Sequence, residues 1–190
     1  MLCEDCDSRQ VRKALIEEFP YLMPRNVFTD KIPEGYDYTY FQGEYSLPDG
    51  WLQLFLQACE DIKEPLIKAD YLEKFRFTQI KEKYGALRMY NAGAPKEVHD
   101  ILAKYEFLSE QVCCICGKPA TAMTCGYICP YCEEHLQEEL NKSTESIDPV
   151  EIKTSYTKET YHAGNTTKTM VDCNDEWNRY LKRIGYMENK

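Results

Sequence analysis

Residues 113–135 read CCICGKPATAMTCGYICPYCEEH, and this stretch carries the strongest structural signal in the chain. It contains a C-x-x-C-G motif at Cys113 and Cys116 and a C-x-x-H motif at Cys132 and His135. The first spacing lets a tight turn direct two thiolates at one point, and the second places two side chains on one side of a helix start. Three thiolates and one imidazole are typical of a closed structural zinc site, so one Zn²⁺ per chain is predicted.

The fourth zinc ligand has an alternative. Cys129 and Cys132 also form a C-x-x-C pair, so an all-cysteine site without His135 stays open. His135 is favoured because it stands three residues after Cys132 on the helical side of the motif. A further C-x-x-C pair, Cys3 and Cys6, precedes the first predicted helix. A second metal there is a weaker interpretation than a reduced pair of thiols.

The hydrophobic pattern predicts an α+β fold, with helices packed on a small antiparallel sheet or hairpin beside a zinc knuckle. Residues 75–90, FRFTQIKEKYGALRMY, are the predicted hairpin. Its turn is expected at Tyr84 and Gly85, and its alternation places Phe77 and Ile80 on opposite faces. Helices are predicted over 7–19, 49–62, 65–74, 95–109, 133–140 and 174–184, short strands and turns over 27–47, and strands over 150–157 and 166–172.

The predicted domain organisation follows these elements. A main α+β domain spans 1–140 and includes the zinc knuckle at 113–135. The polar segment NKSTESIDP at 141–149 is the predicted linker. Residues 150–190 form a C-terminal strand pair and helix that are expected to pack on the main domain.

The composition indicates a cytoplasmic protein. The 190 residues include ten cysteines, and the first ten residues, MLCEDCDSRQ, lack the apolar segment of an export signal. Cysteines without such a signal favour metal binding and reduced thiols over disulfides. No apolar run approaches the roughly 18 residues that a membrane span needs.

Charge is unevenly distributed along a chain whose formal net charge is −9. Residues 1–62 carry twelve acidic and five basic side chains, hence −7, together with Tyr36, Tyr38, Tyr40 and Tyr45. Such a region could dock on a basic partner. Residues 74–90 carry five basic side chains and Glu82, interleaved with aromatic residues, as a nucleic-acid-binding face would. The favoured interpretation is that these aromatics are core and the lysines solvated.

No catalytic constellation is recognisable, and the chain is predicted not to be an enzyme. Of its three histidines, His135 is assigned to zinc, His99 lies within a predicted helix and His162 lies in a polar turn. The sequence contains no G-x-S-x-G, no phosphate-binding glycine loop and no H-E-x-x-H motif.

The segment from Gln79 to Tyr90, QIKEKYGALRMY, followed by C-x-x-C-G and C-x-x-H, resembles an uncharacterised zinc-binding family of Gram-positive bacteria and their phages. The core of that family reads roughly Q-[IV]-K-E-K-[FY]-G-x-L-R-x-Y, and the resemblance covers about residues 50–136. The matching positions are Lys81, Glu82, Lys83, Gly85, Leu87, Arg88 and Tyr90, with Cys113, Cys116, Cys132 and His135 as the zinc ligands. Cys114, Cys125 and Cys129 depart from the pattern.

The resemblance implies a phage accessory protein, which would act in the host cytoplasm, and the chain looks like a zinc-bearing type II anti-CRISPR protein. The function expected from sequence is therefore that of a zinc-stabilised inhibitor or adaptor that binds a protein partner. That partner would be a basic, nucleic-acid-guided nuclease, blocked by stoichiometric binding. The alternative is a nucleic-acid-binding zinc protein that uses the basic aromatic hairpin at 74–90.

Overall fold

The computed structural model describes residues 7–26, 28–142, 146–162 and 165–187, with the backbone alone at 7, 8, 161 and 162. The helices are α1 (Asp7–Glu18), α2 (Leu52–Lys68), α3 (Lys96–Ser109), α4 (Glu133–Leu140) and α5 (Asn174–Arg183). The strands are β1 (Glu44–Ser46), β2 (Phe77–Lys83), β3 (Ala86–Asn91), β4 (Ala122–Thr124), β5 (Pro130–Tyr131), β6 (Ile147–Pro149), β7 (Ser155–His162) and β8 (Asn165–Asp172).

The described strands form three small sheets around which the helices pack. Their orders are β1-β2-β3, β5-β4-β6 and β7-β8, and every pairing is antiparallel except the parallel pair β1-β2. Helices and small antiparallel sheets in one chain confirm the predicted α+β class. In the described part of the chain, no helix is both long and apolar enough to cross a membrane.

The predicted hairpin is present as β2 and β3, joined at Tyr84 and Gly85. These two residues have φ angles of +56° and +76°, as a two-residue type I′ turn requires. The prediction that Phe77 and Ile80 lie on opposite faces is wrong. Phe77 pairs with Asn91 and Ile80 with Met89, which lie on one face of β3, and both Phe77 and Ile80 are fully buried. The pairing shifts register between Phe77 and Gln79, and the extra residue of such a bulge returns Ile80 to the core side.

The expected separate helix at 65–74 is not formed. Helix α2 continues through Pro65 as far as Lys68, and Asp70 then turns the chain with a φ of +52°. Proline removes one helical hydrogen bond, but Ile62 and Leu66 remain fully buried on either side of it. Their continued burial on one helix face accounts for a helix that local sequence signals would interrupt.

The segments flanking the predicted zinc knuckle at 113–135 also differ from the sequence-based boundaries. Of the predicted linker, Ile147–Pro149 is strand β6, which pairs with β4, while residues 143–145 lie outside the described residues. The strand expected at 150–157 begins only at Ser155 and continues to His162. Between residues 28 and 47, turns predominate, and β1 is the one strand formed there.

Helix α5 packs against α2 and α3. The Tyr180 side chain is fully buried, and its ring stacks with that of Trp177 at a centroid distance of 5.7 Å. At the rim, Arg179 pairs with Asp61 of α2 at 2.6 Å, and Glu176 pairs with Lys104 of α3. The C-terminal helix thus shares the apolar core of the preceding helices.

Candidate metal centre

The first arm of the metal centre is a tight turn that follows α3. The amide of Gly117 donates to the carbonyl oxygen of Cys113 at 2.9 Å, and the amide of Cys113 donates to that of Lys118 at 2.8 Å. Gly117 has a φ of +77°, which glycine adopts without strain. This turn brings the thiols of Cys113 and Cys116 to the same side, as the C-x-x-C-G spacing predicted.

The second arm is the start of α4. Cys132 is the residue that precedes the helix, and the amide of Leu136 donates to its carbonyl oxygen at 2.9 Å. His135 lies in the first helical turn, so its ring faces the Cys132 thiol, with Nδ1 3.2 Å from Sγ. The C-x-x-H spacing therefore acts as expected, through one turn of helix.

The two arms bring all four predicted ligands together, with their donor atoms within 4.8 Å of one another. Sγ of Cys116 is 3.7 Å from Sγ of Cys132, and Sγ of Cys113 is 3.7 Å from Nδ1 of His135. Tetrahedral zinc, with bonds of about 2.3 Å to sulfur and about 2.0–2.1 Å to nitrogen, separates two sulfurs by about 3.8 Å and sulfur from nitrogen by about 3.6 Å. The cluster can therefore hold a metal ion, and its spacing and donor set are compatible with zinc.

The electrostatics of the cluster favour a thiolate at Cys132. Burial raises the pKa of this thiol, but hydrogen bonds from the backbone and ring of His135 and from Cys116 and Cys113 lower it to about 7 overall. A thiol at a helix start is commonly acidified in this way. Because metal binding requires deprotonated cysteine, this shift favours metal capture near neutral pH.

Hydrogen bonds from residues 50 and 51 and from α5 help to join this part of the chain to the core, and no sequence motif indicates them. The amide of Gly50 donates to the carbonyl oxygen of Cys114 at 3.0 Å, and the indole Nε1 of Trp51 donates to that of Val112 at 2.8 Å. The Tyr180 hydroxyl donates to the carbonyl oxygen of Gly117. Their partners are distant in sequence, so no local signal could have identified them.

The remaining cysteines of the described chain lie outside this cluster. Cys129, the alternative fourth ligand, has its thiol 2.7 Å from that of Cys114, and the metal cluster contains His135 instead. The Cys125 thiol is 3.3 Å from a carboxylate oxygen of Asp148. Cys3 and Cys6, considered for a second metal, lie outside the described residues.

A second surface lies on the hairpin, beside the knuckle. We call it the tyrosine–lysine face; it comprises Tyr45, Lys81, Lys83, Tyr84, Tyr90 and Tyr127. The exposed fractions of the four tyrosines are 75% for Tyr45, 71% for Tyr84, 42% for Tyr90 and 65% for Tyr127. The Lys81 ammonium lies 5.8 Å from the ring centres of both Tyr45 and Tyr90, and that of Lys83 lies 5.5 Å from the ring of Tyr84. A groove of about 450 Å³ runs between β1, the hairpin turn and residues 126–128.

The other charged groups of the hairpin are engaged with protein partners. Arg88 pairs with Glu106 at 3.1 Å, and Arg76 donates to the carbonyl oxygen of Phe75 at 2.6 Å. Glu82 accepts from the Gly85 amide at 2.8 Å and, through its other oxygen, from the Tyr127 hydroxyl at 2.9 Å. The aromatic residues of the hairpin fall into two groups: Phe75 and Phe77 are buried in the core, whereas Tyr84 and Tyr90 are exposed.

Side chains from α3 block the outer edge of β3. The Leu87 amide donates to Oγ of Ser109 at 2.7 Å, and the Met89 amide donates to Oε1 of Glu106 at 2.9 Å. These amides point away from β2, toward the outer edge of β3, and another strand would otherwise pair with them there. The edge is therefore closed to strand addition, and the tyrosine–lysine face presents side chains and not backbone.

Comparison of the chain with protein-family models, with curated proteins and with solved structures finds no match.

Proposed function

We propose that this chain is a zinc-braced binding protein that acts by occupying the surface of a protein partner. The observation that supports it most is the tyrosine–lysine face. Tyrosine is enriched at the centres of protein interfaces, because it buries a large area at little conformational cost and keeps a polar tip. Four exposed tyrosines around two lysines have the composition of such a centre.

The packing beneath this face links it to the metal centre. A β-carbon on Gly85, at the hairpin turn, would lie 2.9 Å from the Ile128 side chain and 3.3 Å from that of Met123. Both contacts lie between the two arms of the zinc knuckle. A metal that fixes these arms would therefore also fix the hairpin turn, and binding through the face should weaken when zinc is removed.

Charge supports a protein ligand over a nucleic acid. Lys81 and Lys83 are the basic residues of this face. The nearby Arg88 is paired with Glu106, and Arg76 is paired with Asp30. Two phosphate contacts correspond to a salt-dependence slope of only about −1.4 on single strands and about −1.8 on duplex DNA. The aromatic rings could stack on bases, so nucleic-acid binding remains the second candidate.

The finer proposal is that the partner is a guide-loaded type II nuclease and that the chain is a phage counter-defence inhibitor. It rests on the family resemblance and on the acidic first third of the chain. There, Glu17, Glu18, Glu34 and Glu60 are exposed. Guided nucleases hold their heteroduplex in a positively charged channel, which such a surface could approach and obstruct.

The test is a cleavage assay with purified, zinc-loaded protein, guide-loaded type II nuclease and target DNA. Occupancy predicts that inhibition is complete near a one-to-one ratio and that it weakens as salt rises. Tyr45→Ala with Tyr84→Ala should weaken inhibition at least tenfold, whereas Tyr186→Ala, at an exposed tyrosine outside the face, should not. Full cleavage at a tenfold excess of protein rejects this nuclease as the partner, and inhibition at a hundredfold deficit rejects stoichiometric action.

The broader proposal is tested separately from the nuclease. Immobilised wild-type protein, the double variant Tyr45→Ala with Tyr84→Ala, and Tyr186→Ala are each incubated with host lysate, and retained proteins are identified by mass spectrometry. A protein retained by the wild type and by Tyr186→Ala, but lost with the face variant, is the expected result. Retention that is equal for all three proteins would refute binding through this face.

A further inference from the structure

We propose that Cys114 and Cys129 form an oxidisable dithiol that closes to a disulfide, separately from the four zinc ligands. Their sulfur atoms lie 2.7 Å apart, and each residue is only 3% exposed. Both cysteines depart from the family pattern that the chain resembles, and the metal cluster uses neither. The inference does not depend on the proposed function.

The separation of these two sulfurs distinguishes a dithiol from a second metal site. Two sulfurs that share a tetrahedral zinc ion stand about 3.8 Å apart. The ligands Cys116 and Cys132 are near this distance, at 3.7 Å. The thiols of Cys114 and Cys129 are too close to hold an ion between them. They need to approach by less than about 0.7 Å to reach the disulfide bond length of about 2.05 Å.

A cavity of about 250 Å³ gives the pair access to a small oxidant. Its walls include Asp49, Glu82, Tyr127 and Tyr131, and both cysteines contribute to its lining. Hydrogen peroxide is small enough to enter such a space.

The oxidation is balanced with one molecule of hydrogen peroxide. One thiolate of the pair attacks a peroxide oxygen, the O–O bond breaks, and a sulfenic acid and a first water are formed. The second sulfur then attacks the sulfenic sulfur, the S–O bond breaks, and the hydroxyl leaves with a proton as a second water. The two thiols lose two protons and two electrons in total, and the peroxide takes up both and is reduced to two waters.

The resulting bond would join the two arms of the knuckle by a second link. Cys114 is adjacent to the ligand Cys113, and Cys129 lies three residues before the ligand Cys132. A disulfide between them closes a short loop that contains the first arm and β4. The two arms would then remain connected after zinc is removed.

The experiment treats zinc-loaded, full-length protein with a small excess of hydrogen peroxide, stops the reaction with catalase and alkylates under denaturing conditions with chelator. Untreated protein has ten cysteines to alkylate. Treated protein should show two fewer alkylated sites, a mass lower by about 2 Da before alkylation, and unchanged zinc content before denaturation. Chymotrypsin, which cleaves after Tyr127, separates the two cysteines, so that their peptides should be found cross-linked.

Cys114→Ser and Cys129→Ser should each prevent the loss of two alkylation sites, whereas Cys125→Ser, at an exposed neighbouring cysteine, should not. Zinc content and circular dichroism establish that each variant is folded, and the cross-linked peptide from wild type is informative without them. The proposal is overturned if the first disulfide contains Cys113, Cys116 or Cys132, or if zinc is released in step with the mass change. It is also overturned if all ten cysteines of the wild type can still be alkylated after treatment and Cys125→Ser likewise loses no alkylation site.

Discussion

The backbone of Gly50 lies against the knuckle so closely that a β-carbon there would come within 2.3 Å of the carbonyl oxygen of Cys113. The obstruction is backbone, which cannot rotate away as a side chain can. The φ angle of Gly50 is not positive, so its backbone conformation does not by itself require glycine, as it does at the positive-φ glycines. Space alone excludes a side chain at this position, at the junction of α2 and the metal centre.

Replacing Gly50 by alanine should therefore destabilise the protein by about 3 kcal/mol, the upper part of the range for overpacking a well-packed core. Zinc affinity should fall with it, since the displaced atoms belong to the first arm. Gly35→Ala is the control, because a β-carbon there meets no atom within 4 Å and only its φ of +71° is unfavourable. That substitution should cost about 1 kcal/mol. Urea unfolding of both variants measures the difference, and equal destabilisation would contradict the steric argument.

The ligand assignment predicts about one zinc per chain in protein purified without added metal, measured by elemental analysis. Cys116→Ser should yield unfolded or insoluble protein, because structural zinc contributes roughly 10–16 kcal/mol to the folding of small domains. Cys129→Ser should keep its zinc, since this thiol faces Cys114. Loss of zinc in Cys129→Ser together with retention in His135→Ala would replace His135 by Cys129 as the fourth ligand.

Generic DNA or RNA should not bind measurably at physiological ionic strength. Two lysines on an acidic protein release too few counterions for appreciable non-specific affinity. Fluorescence anisotropy with single- and double-stranded probes over a salt series tests this, with Lys81→Glu plus Lys83→Glu as the matched variant. A micromolar, salt-sensitive complex that the double substitution abolishes would establish nucleic-acid binding as the better function.

The ion pair of Glu176 and Lys104 predicts part of the acid sensitivity. Burial raises the pKa of the Glu176 carboxyl, but the hydrogen bond and charge of Lys104 outweigh burial and lower the pKa below its ordinary value. A carboxyl whose pKa is lower in the folded state stabilises the fold above its unfolded pKa of about 4.3, and this contribution is lost as pH falls through the folded value.

Glu176→Gln should therefore reduce stability at pH 7 by about 1 kcal/mol and by less at pH 3, as measured by chemical unfolding at each pH. The comparison is made against wild type at the same pH, so that zinc release in acid affects both proteins equally. Glu159→Gln, at a more exposed ion pair with Lys168 on β7 and β8, is the control and should change little. If the difference in unfolding free energy between wild type and Glu176→Gln grew as the pH fell, the inferred direction of the Glu176 pKa shift would be wrong.

Short-range spacing determined the candidate metal cluster and most of the secondary structure. Cys113 with Cys116, and Cys132 with His135, are each brought together within one turn of backbone, so their geometry is a local property. The same holds for the hairpin turn at Tyr84, where a positive φ is followed by glycine. Such features depend on residues adjacent in sequence and can therefore be predicted without knowledge of the rest of the fold.

Tertiary packing alone decided which side chains meet across long separations. Because of this packing, α2 continues through Pro65 and a bulge places Ile80 in the core. Packing also places the Cys129 thiol next to that of Cys114 and outside the candidate metal cluster. It also left Tyr84 exposed while burying Phe77, two hairpin aromatics between which the sequence pattern did not discriminate. The burial of a side chain depends on which residues of the neighbouring helices and strands pack against it. Hydrophobic periodicity shows only that a face is apolar and does not identify the element that covers it.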